Sequence, residues 1–185
     1  MDKRIQVIQQ LVIGFVICVI FAVMLVGLFG SRTGQKTLTM DVDGDGCEEV
    51  VTKKLGTVTV RKDGDIIWKS DRKWKCDDFL VADIDRDGYN ELMVLLWKQG
   101  SFGEHLPFWM EQDIEISQHI FIFSWDERQD RMVPIWMSSR LSPEIRDWNI
   151  EKECFIHILS TDGEDMLWMW KNWGLVRIDN TLVIK

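Results

Sequence analysis

One nine-residue pattern occurs twice in this chain and limits its fold more than any other feature. Asp41-Val42-Asp43-Gly44-Asp45-Gly46-Cys47-Glu48-Glu49 returns 42 residues later as Asp83-Ile84-Asp85-Arg86-Asp87-Gly88-Tyr89-Asn90-Glu91. Both copies read D-x-D-x-D-G-x-x-E. Calcium is a hard cation that takes six to eight oxygen ligands at about 2.3–2.6 Å. Carboxylates at loop positions 1, 3 and 5 turn inward as the backbone curls, glycine at position 6 permits the sharp turn, and the acid at position 9 closes the sphere. The expected ligands are Asp41, Asp43, Asp45 and Glu49 in the first copy. In the second they are Asp83, Asp85, Asp87 and Glu91, with Cys47 and Tyr89 offering backbone oxygens only. An EF-hand begins in the same way but needs an acid at position 12 and flanking helices. Position 12 is Thr52 in one copy and Val94 in the other, and strand-like runs follow both.

A repeat of this length falls in the range of a propeller blade. The first loop continues into Gly56-Thr57-Val58-Thr59-Val60 and Asp63-Gly64-Asp65-Ile66-Ile67-Trp68. On these residues the chain resembles FG-GAP or VCBS-type repeats, the integrin-alpha-like β-propeller blades in which a calcium loop joins the first two strands. The resemblance covers roughly residues 37–139, with a degenerate continuation to about 179. It implies a β fold, structural Ca2+ and an adhesion or scaffold role, and it does not imply one ligand.

The first unit is expected to use Thr37–Met40, Glu48–Lys53, Thr57–Arg61 and Ile66–Lys69 as strands, and the second Phe79–Ala82, Glu91–Trp97, His119–Ser124 and Met132–Met137. Ile66-Ile67-Trp68-Lys69-Ser70 is echoed by Pro134-Ile135-Trp136-Met137-Ser138, a correspondence independent of the acidic loops. A third unit lacks the loop glycine and the position 9 acid, so no calcium is expected there. Its strands are Glu144–Ile150, Cys154–Leu159, Met166–Trp170 and Leu175–Ile178, and Thr181–Lys185 reads as one more short strand. The expected fold is therefore all-β, with about three four-stranded propeller-like units. Closed propellers usually have four to eight blades, so the ring is either incomplete or completed by a second chain.

Leu11 to Gly30 carries no charge or strongly polar group. At about 1.5 Å per residue it spans about 30 Å, the thickness of a bilayer core. Bulky Leu28 and Phe29 stand where a signal peptidase wants small residues, which favours an uncleaved signal-anchor over a cleaved leader. Lys3 and Arg4 on one side nearly balance Arg32 and Lys36 on the other, so charge alone does not orient the segment. Weak calcium sites fill at extracellular rather than cytosolic levels. Residues 1–10 are thus expected in the cytoplasm, 11–30 in the membrane, 31–36 as a linker, and 37–185 as an extracellular or periplasmic β domain.

Between the second and third strands of the second unit, the first unit's short turn is replaced by an insertion holding Phe102, His105, Phe108 and Trp109. Long irregular loops carry function or disorder, and aromatics dominate binding hot spots, so these four residues are the expected partner contact. The alternative is that Phe108 and Trp109 fold back as a lid over a hydrophobic edge. Trp68 and Trp136 recur at matching positions and read as packing between units.

The formal net charge of -8 argues against a nucleic-acid partner. His105, His119 and His157 are the only histidines and sit in no metal or triad motif, and no G-x-S-x-G or phosphate loop is present. Acidic clusters can serve glycoside hydrolysis, but their regular spacing suits ion coordination better. Cys47, Cys76 and Cys154 leave an odd count outside the apolar segment, with Cys47–Cys76 a disulfide that spacing alone does not establish. The expectation is a non-enzymatic, calcium-stabilised adhesion or scaffold module that binds a protein or glycan, with possible homo-oligomerisation. The alternatives are a subunit completing a larger membrane or envelope complex, and a surface hydrolase.

Overall fold

The computed structural model describes residues 34–103, 105–110, 112–151 and 154–178. The expected anchor at 11–30 and the expected short strand at 181–185 lie outside the described residues. Within them the chain forms twelve strands and no α-helix. β1 (Lys36–Met40), β2 (Glu49–Lys54), β3 (Thr57–Lys62) and β4 (Asp65–Lys69) make the first sheet. β5 (Lys75–Ala82), β6 (Glu91–Gln99), β7 (Ile116–Asp126) and β8 (Arg131–Met137) make the second. β9 (Ile145–Ile150), β10 (Ile156–Ser160), β11 (Asp165–Lys171) and β12 (Gly174–Ile178) make the third. In each sheet consecutive strands pair antiparallel in simple order.

Local chemistry sets the hairpins. Leu55-Gly56 and Asp63-Gly64 each place two consecutive residues at positive φ, the signature of the two-residue turns that match strand twist. Leu55 fills such a position without a glycine's freedom, at φ 49 and with its side chain in solvent.

The middle sheet is buried on both faces, which explains why β6 reads as an unbroken apolar run. Leu92, Val94 and Leu96 point one way with Phe121 and Phe123 of β7, meeting Val51, Val58 and Val60 of the first sheet. Met93 and Leu95 point the other way with Ile120 and Ile122, meeting Ile156 and Ile158 of the third. Each fully buried aliphatic or aromatic side chain contributes about 1.5–3 kcal/mol, so these two layers supply most of the driving force. The first sheet keeps one wet face. Val50, Arg61 and Ile66, aligned across β2, β3 and β4, are all exposed there.

The duplication extends past the acidic loops. Ser70 and Ser138 are both buried directly after the fourth strand of their sheets. The Ser70 hydroxyl accepts the Val58 N–H at 3.1 Å, and its own N–H donates to the Val58 carbonyl at 2.9 Å. Ser138 makes the same two bonds to Ile120, both at 3.0 Å. Trp68 leans on Phe123 of the second sheet with ring centres 4.8 Å apart. Trp136 covers Gly174 of the third so closely that a Cβ there would come within 2.5 Å of its Nε1. Each tryptophan thus packs its sheet onto the next one.

Three sequence expectations need correction. β5 begins at Lys75, not Phe79, because a bulge between Cys76 and Asp78 breaks the alternation and two aspartates lie within the strand. Those acids are satisfied by indoles, Trp97 donating to Asp77 at 2.6 Å and Trp148 to Asp78 at 2.9 Å. β7 begins at Ile116, not His119. The Cys47–Cys76 disulfide is absent, and Cys47, Cys76 and Cys154 are all free thiols. Cys76 is sealed in the layer between the first and second sheets, whereas Cys47 lies on an exposed loop.

Candidate metal centre

Each D-x-D-x-D-G segment is the connection from the first to the second strand of its sheet, leaving from β1 or β5 and closing at the first residue of β2 or β6. The two loops have the same backbone. Gly44 and Arg86 sit at φ 77 and 68, and Gly46 and Gly88 at φ 85 and 97. Four hydrogen bonds recur position for position. The acid at position 9 accepts the N–H of position 2, Glu49 from Val42 at 2.8 Å and Glu91 from Ile84 at 3.0 Å. Position 1 accepts from position 6, Asp41 from Gly46 at 3.0 Å and Asp83 from Gly88 at 3.1 Å. Position 3 accepts from position 5, Asp43 from Asp45 and Asp85 from Asp87, both at 3.2 Å. Position 5 accepts from position 7, Asp45 from Cys47 at 2.8 Å and Asp87 from Tyr89 at 2.9 Å. Short acidic side chains bonding their own backbone two residues on are what holds such a turn closed.

In each loop carboxylate oxygens converge. One carboxylate oxygen from each of Asp41, Asp43 and Asp45 lies within 4.8 Å of the others, and so does one from each of Asp83, Asp85 and Glu91. Glu49 and Glu91 are fully buried. Each spends Oε2 on the loop backbone, while Glu49 Oε1, Glu91 Oε1 and Asp83 Oδ1 are buried with no hydrogen-bond partner among the described residues. A buried acceptor left unmatched costs about 1–3 kcal/mol, and more when charged. An all-oxygen donor set with spare buried lone pairs fits a hard divalent cation, not a zinc-type ion that prefers nitrogen and sulfur.

Electrostatics separate the two loops. Burial pushes the Glu91 carboxyl up to about 7, helped by the negative charges of Asp85, Asp87 and Asp83 and opposed by the Ile84 N–H. Burial, then the neighbouring Asp87 charge, also raises Asp85. In the first loop Lys62 at the end of β3 hydrogen-bonds Asp43, lies 2.6 Å from Asp45 Oδ2, and stands 3.8 Å from Glu49 Oε1. Burial raises the Glu49 carboxyl too, but here the Lys62 ammonium works against the rise. The bond to Lys62 is the main reason the Asp45 carboxyl is held low.

The loops touch one another. Asn90 donates from Nδ2 to the Asp41 carbonyl at 2.7 Å, and the Tyr89 ring lies on Gly44. The Tyr89 hydroxyl donates to Glu127 at 3.2 Å, joining the second loop to the β7–β8 turn. Lys62, Asn90 and Tyr89's ring were not marked as site elements by the sequence. Lys62 is 17 and 19 residues from the acids it meets, and only the strand register brings it there.

The expected partner-contact residues lie elsewhere, on the insertion between β6 and β7. Its stem is tied down by the Gly100 N–H to the Glu115 carbonyl at 2.7 Å and the Ser101 N–H to Asp113 at 2.5 Å. At its tip Phe108 and Trp109 meet edge-to-face at 4.9 Å, and they are 95% and 69% exposed. They do not form a lid. His105 is exposed and Phe102 is half-buried. His119 is a buried structural residue, with Nδ1 2.9 Å from the Ser138 carbonyl and Nε2 3.0 Å from the Gly100 carbonyl. No protein-family model, curated protein or solved structure matches this chain.

Proposed function

We propose that this chain is a membrane-anchored, calcium-binding adhesion or scaffold module whose sheets are blades of a propeller-like β domain. Calcium sits in the D-x-D-x-D-G loop between the first two strands of a blade, and the second loop is its best-supported seat. The observation that carries this reading is the buried, unmatched pair of oxygens, Glu91 Oε1 and Asp83 Oδ1, in a loop where one carboxylate oxygen each of Asp83, Asp85 and Glu91 lies within 4.8 Å of the others. A cation there satisfies both and relieves the repulsion among four acids. The apolar run at 11–30 anchors the chain with its N-terminus in the cytoplasm, and the acidic β domain faces a calcium-rich extracellular or periplasmic space. Rigidity from the bound ion suits a scaffold, and the exposed Phe108–Trp109 pair offers an anchor that a protein or glycan partner buries. The test is thermal melting of the full chain in detergent micelles. Millimolar calcium should raise the midpoint and EDTA should lower it, and a midpoint indifferent to both would remove the calcium reading.

A second reading has one observation in its favour. The outer face of the first sheet exposes Val50 and Ile66 in register, at 38% and 46%. That face suits a further blade, from a second copy or from another subunit of an envelope complex. Sedimentation of the micelle-bound chain as a monomer at all concentrations would count against closure by a second copy.

A further inference from the structure

We infer that Lys62 is a tethered cation filling the first acidic loop, so that the protein takes a divalent cation at the second loop alone. This rests on the reading of the second loop as a metal seat. The two loops share backbone conformation and four hydrogen bonds, so their difference lies in what faces the acids. The Lys62 ammonium contacts Asp43, sits 2.6 Å from Asp45 Oδ2 and is 3.8 Å from the buried Glu49 Oε1. It therefore stands among the oxygens that an ion would need.

The register identifies its counterpart. Val50 pairs with Arg61 in the first sheet, and Leu92, which is 42 residues on from Val50, pairs with Phe123 in the second. The next residues along, Lys62 and Ser124, are thus equivalent, and Ser124 carries no charge. Three of the four carboxylates are thus met by a built-in ammonium in one loop, and none of their counterparts is met by an ammonium from the matching strand position in the other.

For a divalent ion to enter the first loop, Lys62 must leave three carboxylates, and its ammonium then repels the newcomer at short range. Strand β3 fixes its backbone opposite Asp65, so the side chain stays near the loop mouth. The first loop thereby gains a cation that needs no external supply, while the second responds to the surroundings. One loop holds the hairpin shut at all times, and the other makes stability depend on calcium.

The experiment is calorimetric calcium titration of the full chain in detergent micelles, on wild type, E91Q, K62S and the E91Q/K62S double variant. Serine is chosen because it is the residue at the matching position of the second sheet. The expected stoichiometries are one, none, two and one. Melting provides a second readout: E91Q should lose its calcium-dependent rise in midpoint, and E91Q/K62S should regain one. Two sites in wild type, or no site in E91Q/K62S with melting still cooperative, would overturn the role of Lys62 while leaving the second loop's seat intact. No site in wild type would instead remove the reading on which the inference rests. If K62S is too unstable to titrate without ions, a midpoint restored by calcium supports the inference, and one restored by neither calcium nor magnesium opposes it.

Discussion

The Tyr89 ring stands where a Cβ on Gly44 would have to be, with its Cε1 only 2.2 Å from that position. The second loop thus rests on the first through a contact that only glycine permits. Gly44 is also at φ 77, where a side chain costs about 1–2 kcal/mol. Gly46 shares the positive φ, at 85, but has nothing within 4 Å of its would-be Cβ. Gly46→Ala should therefore cost about 1–2 kcal/mol in urea unfolding from backbone strain alone. Gly44→Ala should cost more, because Tyr89 must also move, and if the second loop holds calcium as proposed, the variant should bind it more weakly. Equal losses for the two variants would show that the loops do not bear on one another.

Ser70 and Ser138 predict a matched pair of effects. Each hydroxyl is the acceptor for a buried strand N–H, that of Val58 or Ile120. Alanine at either position strands a buried donor, a loss of about 1–3 kcal/mol. Denaturant midpoints for Ser70→Ala and Ser138→Ala should fall by similar amounts with unchanged slopes. Loss at one site alone would mean that the two sheets do not share this device.

How much of this was legible in the sequence depends on how local each signal is. The strands of the first and third sheets follow from alternation and from turn pairs such as Asp63-Gly64, and they fall within a residue or two of their expected bounds. The start of β5 was hidden because Asp77 and Asp78 look like loop residues until Trp97 and Trp148 are seen to donate to them. The acidic loops were legible because their four acids fall within nine residues of chain. Lys62 was not, since it meets them only across a hairpin. The discarded Cys47–Cys76 pairing has the same origin, as composition reports how many cysteines exist and not which layer buries them.

His119 makes stability sensitive to acid. Burial lowers its pKa, partly offset by the Ser138 and Gly100 carbonyls, while Lys98 pushes it lower and Asp113 pulls it up. The folded protein therefore binds this proton less readily than the unfolded chain, whose histidine titrates near 6.5. The His119 contribution to stability should be full above that value and decline as pH falls below it, because the unfolded state takes up the proton first. Glu91, pushed up to about 7, acts in the opposite sense over pH 8 to pH 5 in EDTA, because there the folded state takes up the proton first. The His119 contribution is therefore read as the difference between wild type and His119→Gln, and the wild-type urea midpoint should fall relative to the variant's below about pH 6.5. A wild-type midpoint that rises relative to His119→Gln toward acid would reverse the sign and show that the two carbonyls, not burial, govern the ring.

The two classes of aromatic residue should separate cleanly on substitution. Trp68 packs between sheets against Phe123, so Trp68→Ala removes buried area from that layer and should cost on the order of 3 kcal/mol. Phe108 and Trp109 contact chiefly each other and solvent. Alanine at both should change the unfolding free energy by no more than about 0.5 kcal/mol, as for surface positions free of special features. If these residues are the partner contact, the double variant should keep its melting midpoint, calcium response and sedimentation while losing retention of a partner cross-linked to the wild-type chain. A large drop in stability instead would mean that the tip of the insertion is packed in solution, and the partner-contact assignment would fall with it.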